Sequence, residues 1–462
     1  YYATGTSSEW APHFPVFSST DLVNWKQTGY IFDTKPEWTS SSFWAPEYYF
    51  HNNTYYIYYT ARRKSDGLSF IGVATSKFPD HGFKDHGTLI VHGKEAIDAF
   101  VFNDNGQLYI TWKAYGLEQR PIEILGSKLS DDGLSLIGEP FTLLRDDERI
   151  GLEGQSIIKK GEYYYVFYSA GDCCGGGCSY NVRIARSKDI HGPYEYYAQN
   201  PVLSGDDTWK CTGHGTFVNS TDGNTYYLHH GYSKKNDVFT GRQGLLSQLV
   251  WPANNGWPEF KQPSFIKNIP VNTTYTRVTD NFKGNVVSNA WQWDFRHSSP
   301  QILQQAGKLK LSGTVTKDNP TGIALTRRPV SANYTMRVTV TNNNAALKGL
   351  TIYGDASAAI GIGVVNNKVE FWQVKDNVKT VLKSTTVAAN KLVKLKIAAN
   401  SDNTCRVYWN QSGKWNELTD AAQPQSIGFL PPWDRSPRPG LIFNGTVNQE
   451  AIFSNFEIAY TL

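Results

Sequence analysis

Four residues with useful side chains recur at nearly the same place ahead of an aromatic phrase. Trp44 stands in "FWAPEYY", Asp98 in "AIDAFVF", Glu153 in "GLEGQSI" and His214 in "GHGTFV", each ten to twelve residues before a tyrosine-rich run or its counterpart. Two acids, a histidine and a tryptophan at matched positions suit work on a sugar. Carboxyls brought face to face push their pKa values apart, so that one holds a proton while the other is ionised near neutral pH. Glycoside hydrolysis uses that division: one carboxyl protonates the leaving oxygen, and another activates water or attacks. A tryptophan alongside offers a flat face to the sugar ring. Either acid alone reads equally well as half of an ion pair. The set points to chemistry, because ionisable groups gathered at one apolar mouth are costly unless paired or used.

The element that positions them is a repeat. The opening "YYATGTS" returns as "YYIYYTA" from Tyr55, "LYITWKA" from Leu108, "YYVFYSA" from Tyr164 and "YYLHHGY" from Tyr226, at spacings of 54, 53, 56 and 62 residues. Polar turns ("HNNT", "NDNGQ", "KKGE", "STDGNT") precede the last four, so each phrase reads as a strand leaving a hairpin. A second phrase follows every copy, such as "GVATSKFPDHGF" and "VRIARSKDIHGPYE", and supplies a third strand with its exit turn. A period near 54 with several strands per unit predicts a five-bladed β-propeller over residues 1–260, with innermost strands lining a central funnel. A β-sandwich with accidental aromatic likeness is the lesser alternative. On this count "YYATGTS" is the second strand of blade one. Its inner strand is expected about ten residues upstream of Tyr1, and a signal peptide is expected to have been removed.

Past a linker at 261–279 the period stops. Alternating segments such as "KLKLSG", "YTMRVTVT" and "LVKLKIAA" predict an antiparallel β-sandwich over 280–462, so the fold class is all-β. A net charge of +4 over 462 residues, with no basic tract, argues against nucleic acid and membrane surfaces as partners. Nor is there an apolar run of membrane-spanning length.

Read in order, "STDLVNW", "FWAPE", "AIDAFVFNDNGQLYITW", "GLEGQSIIKKGEYYYVFYSAG", "ARSKDIHGPYE", "GHGTFV" and "NNGWPEF" resemble glycoside hydrolase family 43, whose members are arabinofuranosidases, xylosidases and arabinanases. The likeness covers residues 1–260. The stretch from "DNFKGNVVSNAWQWDF" onward resembles the concanavalin-A-like domain appended to many of these enzymes. The resemblance implies an inverting glycosidase with Glu153 as general acid and Asp98 as the aspartate that orients it and tunes its pKa. It further implies His214 at the funnel floor near calcium or water, Arg242 reaching the sugar pocket, and Trp44 with Phe43 as the subsite wall. A lone histidine is more often a hydrogen-bonder than a metal ligand, so a structural calcium through His214 is the weaker reading and no cofactor is required. The family's general base belongs to the inner strand of blade one. Glu47 and Asp21, the nearest acids, do not occupy the equivalent position.

Three of the five cysteines, Cys173, Cys174 and Cys178, lie in "GDCCGGGCSY", and Cys211 lies three residues before His214. Disulfides are favoured over zinc, with one bond within or from the cluster and several connectivities open. Sequons at Asn52, Asn219, Asn272, Asn333, Asn410 and Asn444 fit a secreted glycoprotein. The expectation is a secreted, monomeric enzyme removing pentoses from plant polysaccharide. α-L-Arabinofuranosidase on arabinoxylan or arabinan comes first, followed by β-xylosidase or endo-arabinanase. A catalytically weak sugar-binding propeller is the alternative from another class.

Overall fold

The computed structural model describes residues 1–114, 122–253, 256–263 and 276–461. Five sheets follow one another through the first part of the chain. Blade one has three strands, Tyr2–Thr4, His13–Ser18 and Lys26–Phe32. Blade two runs Thr39–His51, Thr54–Arg63, Ser69–Ser76 and Lys84–Ile90. Blade three runs Ala96–Asp104, Gln107–Ala114, Glu123–Leu129 and Leu136–Arg145. Blade four runs Glu153–Lys160, Tyr163–Ala170, Asn181–Ser187 and Glu195–Tyr196. Blade five runs Trp209–Asn219, Thr225–Ser233, Arg242–Val250 and Glu259–Lys261. The five-bladed propeller is therefore present; each aromatic phrase is the second strand of its blade in blades two to five, and the first of the three strands in blade one.

The phrases are continuous rather than alternating because neighbouring blades cover both faces of each second strand. In Gln107–Ala114 every residue after the first is buried, and the same holds for Tyr163–Ala170. A strand covered on both sides loses the period of two. Tyr58, Phe70 and Ile71 of blade two pack with Val101, Ile110 and Trp112 of blade three, and Ile124 and Leu144 pack with Val166 and Tyr168 of blade four. The Tyr1 hydroxyl donates to Ser220 Oγ at 3.2 Å and accepts the Thr221 N–H at 3.2 Å, tying blade one to blade five.

The second compact unit is a β-sandwich. One six-stranded sheet is ordered Ile323–Thr326, Arg438–Asn444, Leu347–Asp355, Ala358–Val365, Lys368–Lys375, Val378–Thr386. The nine-stranded sheet centres on Ala451–Tyr460, Tyr334–Thr341 and Leu392–Asn400. Met336, Val338, Leu395 and Phe453 from one sheet, and Leu350, Ile360 and Leu441 from the other, are fully or almost fully buried. The units do not meet at a single cut in the chain. Residues 235–241 cluster with 270–462 rather than with the propeller, and Asn236 Oδ1 accepts the Ala332 N–H at 2.9 Å.

The sequons divide by burial. Asn52 and Asn219 are exposed beside hairpin turns, while Asn272 lies outside the described residues. Two expectations are corrected. Asn410 is 7% exposed, with Oδ1 accepting the Gly413 N–H, and the Asn444 amide donates to the carbonyls of Pro320 and Thr321. Neither side chain is presented for a glycan in the folded chain. Asn333 is half-buried, its Oδ1 accepting the Ser401 N–H.

Candidate active site

Four inner strands share a bend with positive φ, at Ala45 (φ 44°), Asp98 (φ 60°), Gly154 (φ 56°) and His214 (φ 44°); those of blades two and five have a second such residue three positions earlier, Ser42 (φ 60°) and Cys211 (φ 56°). The ladder slips beside each bend, between Trp44 and Glu47, opposite Thr111–Lys113, between Glu153 and Ser156, and between Gly213 and Thr216. Left-handed backbone is costly for residues with a Cβ, and it persists where the surroundings impose it. These bends correct the matched set. Asp98 and His214 occupy the bend, whereas Trp44 and Glu153 stand one residue before it. The structural counterparts of Asp98 are Ala45 and Gly154. Gly154 must be glycine, since a Cβ there would lie 2.7 Å from His214 Cγ in addition to the positive φ.

The preceding blade secures each bend. Thr6 Oγ1 accepts the Ala45 N–H at 3.0 Å, Thr60 Oγ1 that of Asp98 at 3.2 Å, and Ser169 Oγ that of His214 at 2.8 Å. In blade four the Gly154 N–H goes to Asp98 Oδ2 at 3.0 Å. Gln155 fastens the same corner by donating to the Asp98 carbonyl at 2.6 Å and to Thr111 Oγ1 at 3.2 Å. Blades three and four are thus joined through the aspartate.

Glu153 accepts two hydrogen bonds, from Lys113 Nζ to Oε2 at 2.6 Å and from the Tyr180 hydroxyl to Oε1 at 2.9 Å. Its side chain is 18% exposed and that of Lys113 only 3%. Burial pushes the Glu153 carboxyl up, but Lys113, with help from Tyr180 and His214, prevails and holds it below the usual range. Asp98 moves the other way. Burial is the main cause of its rise and the Glu153 charge adds to it, against His214 and Lys113. The two pKa values are pushed apart, as expected for neighbouring carboxyls. His214 Nδ1 is 3.9 Å from Asp98 Oδ2.

Trp44 is half-buried, with Nε1 donating to Ser8 Oγ at 3.3 Å and the Arg62 guanidinium 5.8 Å from its ring. It can present a face to a sugar. Phe43 cannot, which corrects its placement at the subsite wall. It is fully buried, stacks on His13 at 4.0 Å, and its carbonyl accepts the N–H groups of Ser7 and Ser8. Arg242 is half-buried, and no described carboxylate pairs with it. Its charge reaches His230, whose ring stacks on Tyr180 at 5.6 Å and whose nitrogens find no partner among the described residues. Burial, followed by Arg242 and His214, keeps His230 neutral. No cluster of three or more His, Cys, Asp or Glu side chains among the described residues is arranged for a metal. Calcium prefers a cage of oxygen ligands. A histidine nitrogen beside one carboxylate that already accepts a backbone N–H does not make one.

Cys173–Cys174 and Cys178–Cys211 form the two disulfides, and Cys405 is buried and free. The second ties the Gly-rich loop of blade four to the inner strand of blade five. Tyr180 follows Cys178 by two residues and reaches Glu153, passing over Gly213, where a Cβ would meet its ring at 2.5 Å. Lys113, Tyr180 and His230 are the site residues that sequence reasoning missed. Lys113 was nevertheless visible as a cation inside an otherwise uncharged phrase, "LYITWKA".

Neither nearby acid is suited to act as base. Hydrogen bonds from Asn24 and Val23 occupy the Asp21 carboxylate and hold its pKa far below the usual range. Glu47, half-buried with its carboxylate against the Val101 backbone, is pushed up to about 8 by burial.

Residues 1–258 match the family described as Glycosyl hydrolases family 43. The chain belongs to glycosyl hydrolase family 43. It is accordingly a glycoside hydrolase of an inverting family. Residues 279–428 match the Beta xylosidase C-terminal Concanavalin A-like domain. An extracellular exo-α-(1→5)-L-arabinofuranosidase, ArbA, of Cellvibrio japonicus is 31% identical over 54% of this chain and 80% of its own length. An extracellular endo-α-(1→5)-L-arabinanase of Bacillus subtilis is 28% identical over 56% of this chain and 84% of its own. The crystal structure of a xylan β-1,4-xylosidase from Bacillus halodurans superposes with a TM-score of 0.81 at 19% identity, over 99% of this chain and 96% of that one. That likeness concerns the fold.

Proposed function

We propose that this family 43 enzyme removes pentose units from plant cell-wall polysaccharide, with α-L-arabinofuranosidase action on arabinoxylan or arabinan as its main activity. The observation that carries the reading is the set of Asp98 and His214 on a recurring bend and Glu153 and Trp44 one residue before it, with Asp98 and His214 both acting on the Glu153 carboxyl. Glu153 protonates the glycosidic oxygen as the C1–O bond breaks, and water attacks C1 from the opposite face with its proton going to a base. Asp98 holds the backbone of the acid through the Gly154 N–H and biases its charge. Trp44 supports the ring, and Arg242 is available to sugar hydroxyls. The arabinan-active relatives support the choice of sugar. β-Xylosidase is the second reading, favoured by the sandwich matching a β-xylosidase C-terminal domain. Two disulfides and the extracellular relatives support a secreted enzyme.

The test is sugar release by the full-length protein from arabinan, arabinoxylan and the corresponding aryl pentosides, with the product anomer followed by NMR. Arabinose appearing first as the inverted anomer is expected. Xylose alone moves the assignment to β-xylosidase. No release, with sugars still raising the melting temperature, leaves a binding propeller.

A further inference from the structure

Position six of the aromatic phrase holds Thr6, Thr60, Lys113 and Ser169 in the first four blades. Three of these are hydroxyls with one job: each accepts the N–H at the next blade's bend. Blade three departs from the rule. Lys113 has no acceptor to offer, so the Gly154 N–H turns to Asp98, and the ammonium reaches past the backbone to Glu153 Oε2. Packing alone does not call for a cation here, since threonine or serine fills the same position elsewhere. Burying an ammonium is costly, and a carboxylate at 2.6 Å is what offsets it.

We propose that Lys113 is the positioning residue of the acid: its ammonium aims Glu153 at the leaving oxygen and stabilises the carboxylate left when the proton has gone. This rests on Glu153 being the acid. In the step, the Glu153 O–H bond breaks as the leaving oxygen gains the proton. The C1–O electron pair stays with that oxygen, and the new carboxylate faces the Lys113 cation. The other titratable groups facing Glu153 are Asp98 of blade three, Tyr180 of the blade-four loop and His214 of blade five. Burial keeps the Tyr180 phenol protonated as a donor, and Asp98 opposes ionisation of the acid. Lys113 therefore supplies the main positive charge against burial.

The experiment titrates the Glu153 carboxyl by ¹³C NMR, and measures kcat/KM against pH on aryl glycosides with good and poor leaving groups. The full-length protein, Lys113→Met, Lys113→Arg and Glu153→Gln are compared. In Lys113→Met the carboxyl titration and the basic limb of kcat/KM are expected to rise together by about 1–3 pH units, with the rate falling most for poor leaving groups. Lys113→Arg should keep both near the parent. If Lys113→Met melts below the assay temperature, Lys113→Gln, an uncharged donor, should show the same upward shift. A folded variant whose Glu153 titration and basic limb stay in place overturns the proposal, even if its melting temperature falls. The two possible failures are separable. Loss in Glu153→Gln that ignores the leaving group removes the acid itself, whereas leaving-group-dependent loss with an unmoved Lys113→Met limb removes Lys113 alone.

Discussion

Blades two and four bend their inner strands at equivalent residues, yet the residue before the bend is a tryptophan in one and an acid in the other. At Ala45 a threonine hydroxyl accepts the backbone N–H, and the residue before the bend is Trp44. At Gly154 the N–H goes to an aspartate, the residue before the bend is Glu153, and a lysine replaces the hydroxyl. The backbone device is common to both, so the bend is a property of the propeller. The proposed acid and its lysine stand where the repeat is broken. Blades three and five stand between these extremes, with Asp98 and His214 on the bend itself and hydroxyls still holding them.

The comparison breaks first at Glu153. Glu153→Gln should cost about 10²–10⁴-fold in kcat on substrates with poor leaving groups, and much less on activated aryl glycosides. An equal loss on both would mean that the blade-four bend is no more reactive than that of blade two. Asp98→Asn comes next, with a rate loss on the order of 10²-fold from a misaimed acid. Its stability should move the other way. The Asp98 pKa is raised by folding, so the folded state binds its proton more tightly than the unfolded chain. The buried charge therefore costs stability at neutral pH and is relieved as pH falls towards the unfolded value. Asparagine removes that cost while keeping an acceptor for Gly154, so calorimetry at pH 7 should show an equal or higher melting temperature. Glu153 carries the opposite sign. Its stabilisation is present above the unfolded carboxyl value and is lost as pH falls through its lowered folded value.

Smaller effects sharpen the contrast. Breaking Cys178–Cys211, which spans 33 residues, should cost about 3–4 kcal/mol of stability by loop entropy, and should lower kcat by loosening Tyr180 from Glu153. Thr60→Ala and Ser169→Ala each orphan the N–H of a bend and should cost about 1–3 kcal/mol, with a measurable loss of rate. Thr6→Ala should destabilise by about 1 kcal/mol and lower kcat less than Thr60→Ala does, because the bend it holds is alanine and only the neighbouring Trp44 faces the sugar. A rate loss there as large as in Thr60→Ala would end the distinction between the blade-two bend and those that carry titratable groups.

The aromatic phrases made the propeller legible because neighbouring blades cover both faces of a second strand. Burial then demands a continuous run of large side chains, and five such runs at one period leave little room for another fold. Asp98, Glu153 and His214 were legible for the same reason, as polar residues at a fixed distance from those runs. That distance was good only to a residue. The bend lies ten residues ahead of the phrase in blades two to four and twelve in blade five, so Trp44 and Glu153 were matched to Asp98 when Ala45 and Gly154 are its counterparts. Neighbouring side chains of a strand face opposite ways, so Phe43, which the resemblance set at the wall with Trp44, lies on the packed face instead. Sequence by itself determined the repeat, its strands and the acids that could do chemistry, since these follow from side-chain type and local order. Only the tertiary structure decided in which direction each acid's pKa moves, what Lys113 and Tyr180 touch and which cysteines pair. Those depend on groups 40 and 27 residues from Glu153, and 33 residues apart in the case of the cysteines, that meet only when the blades close.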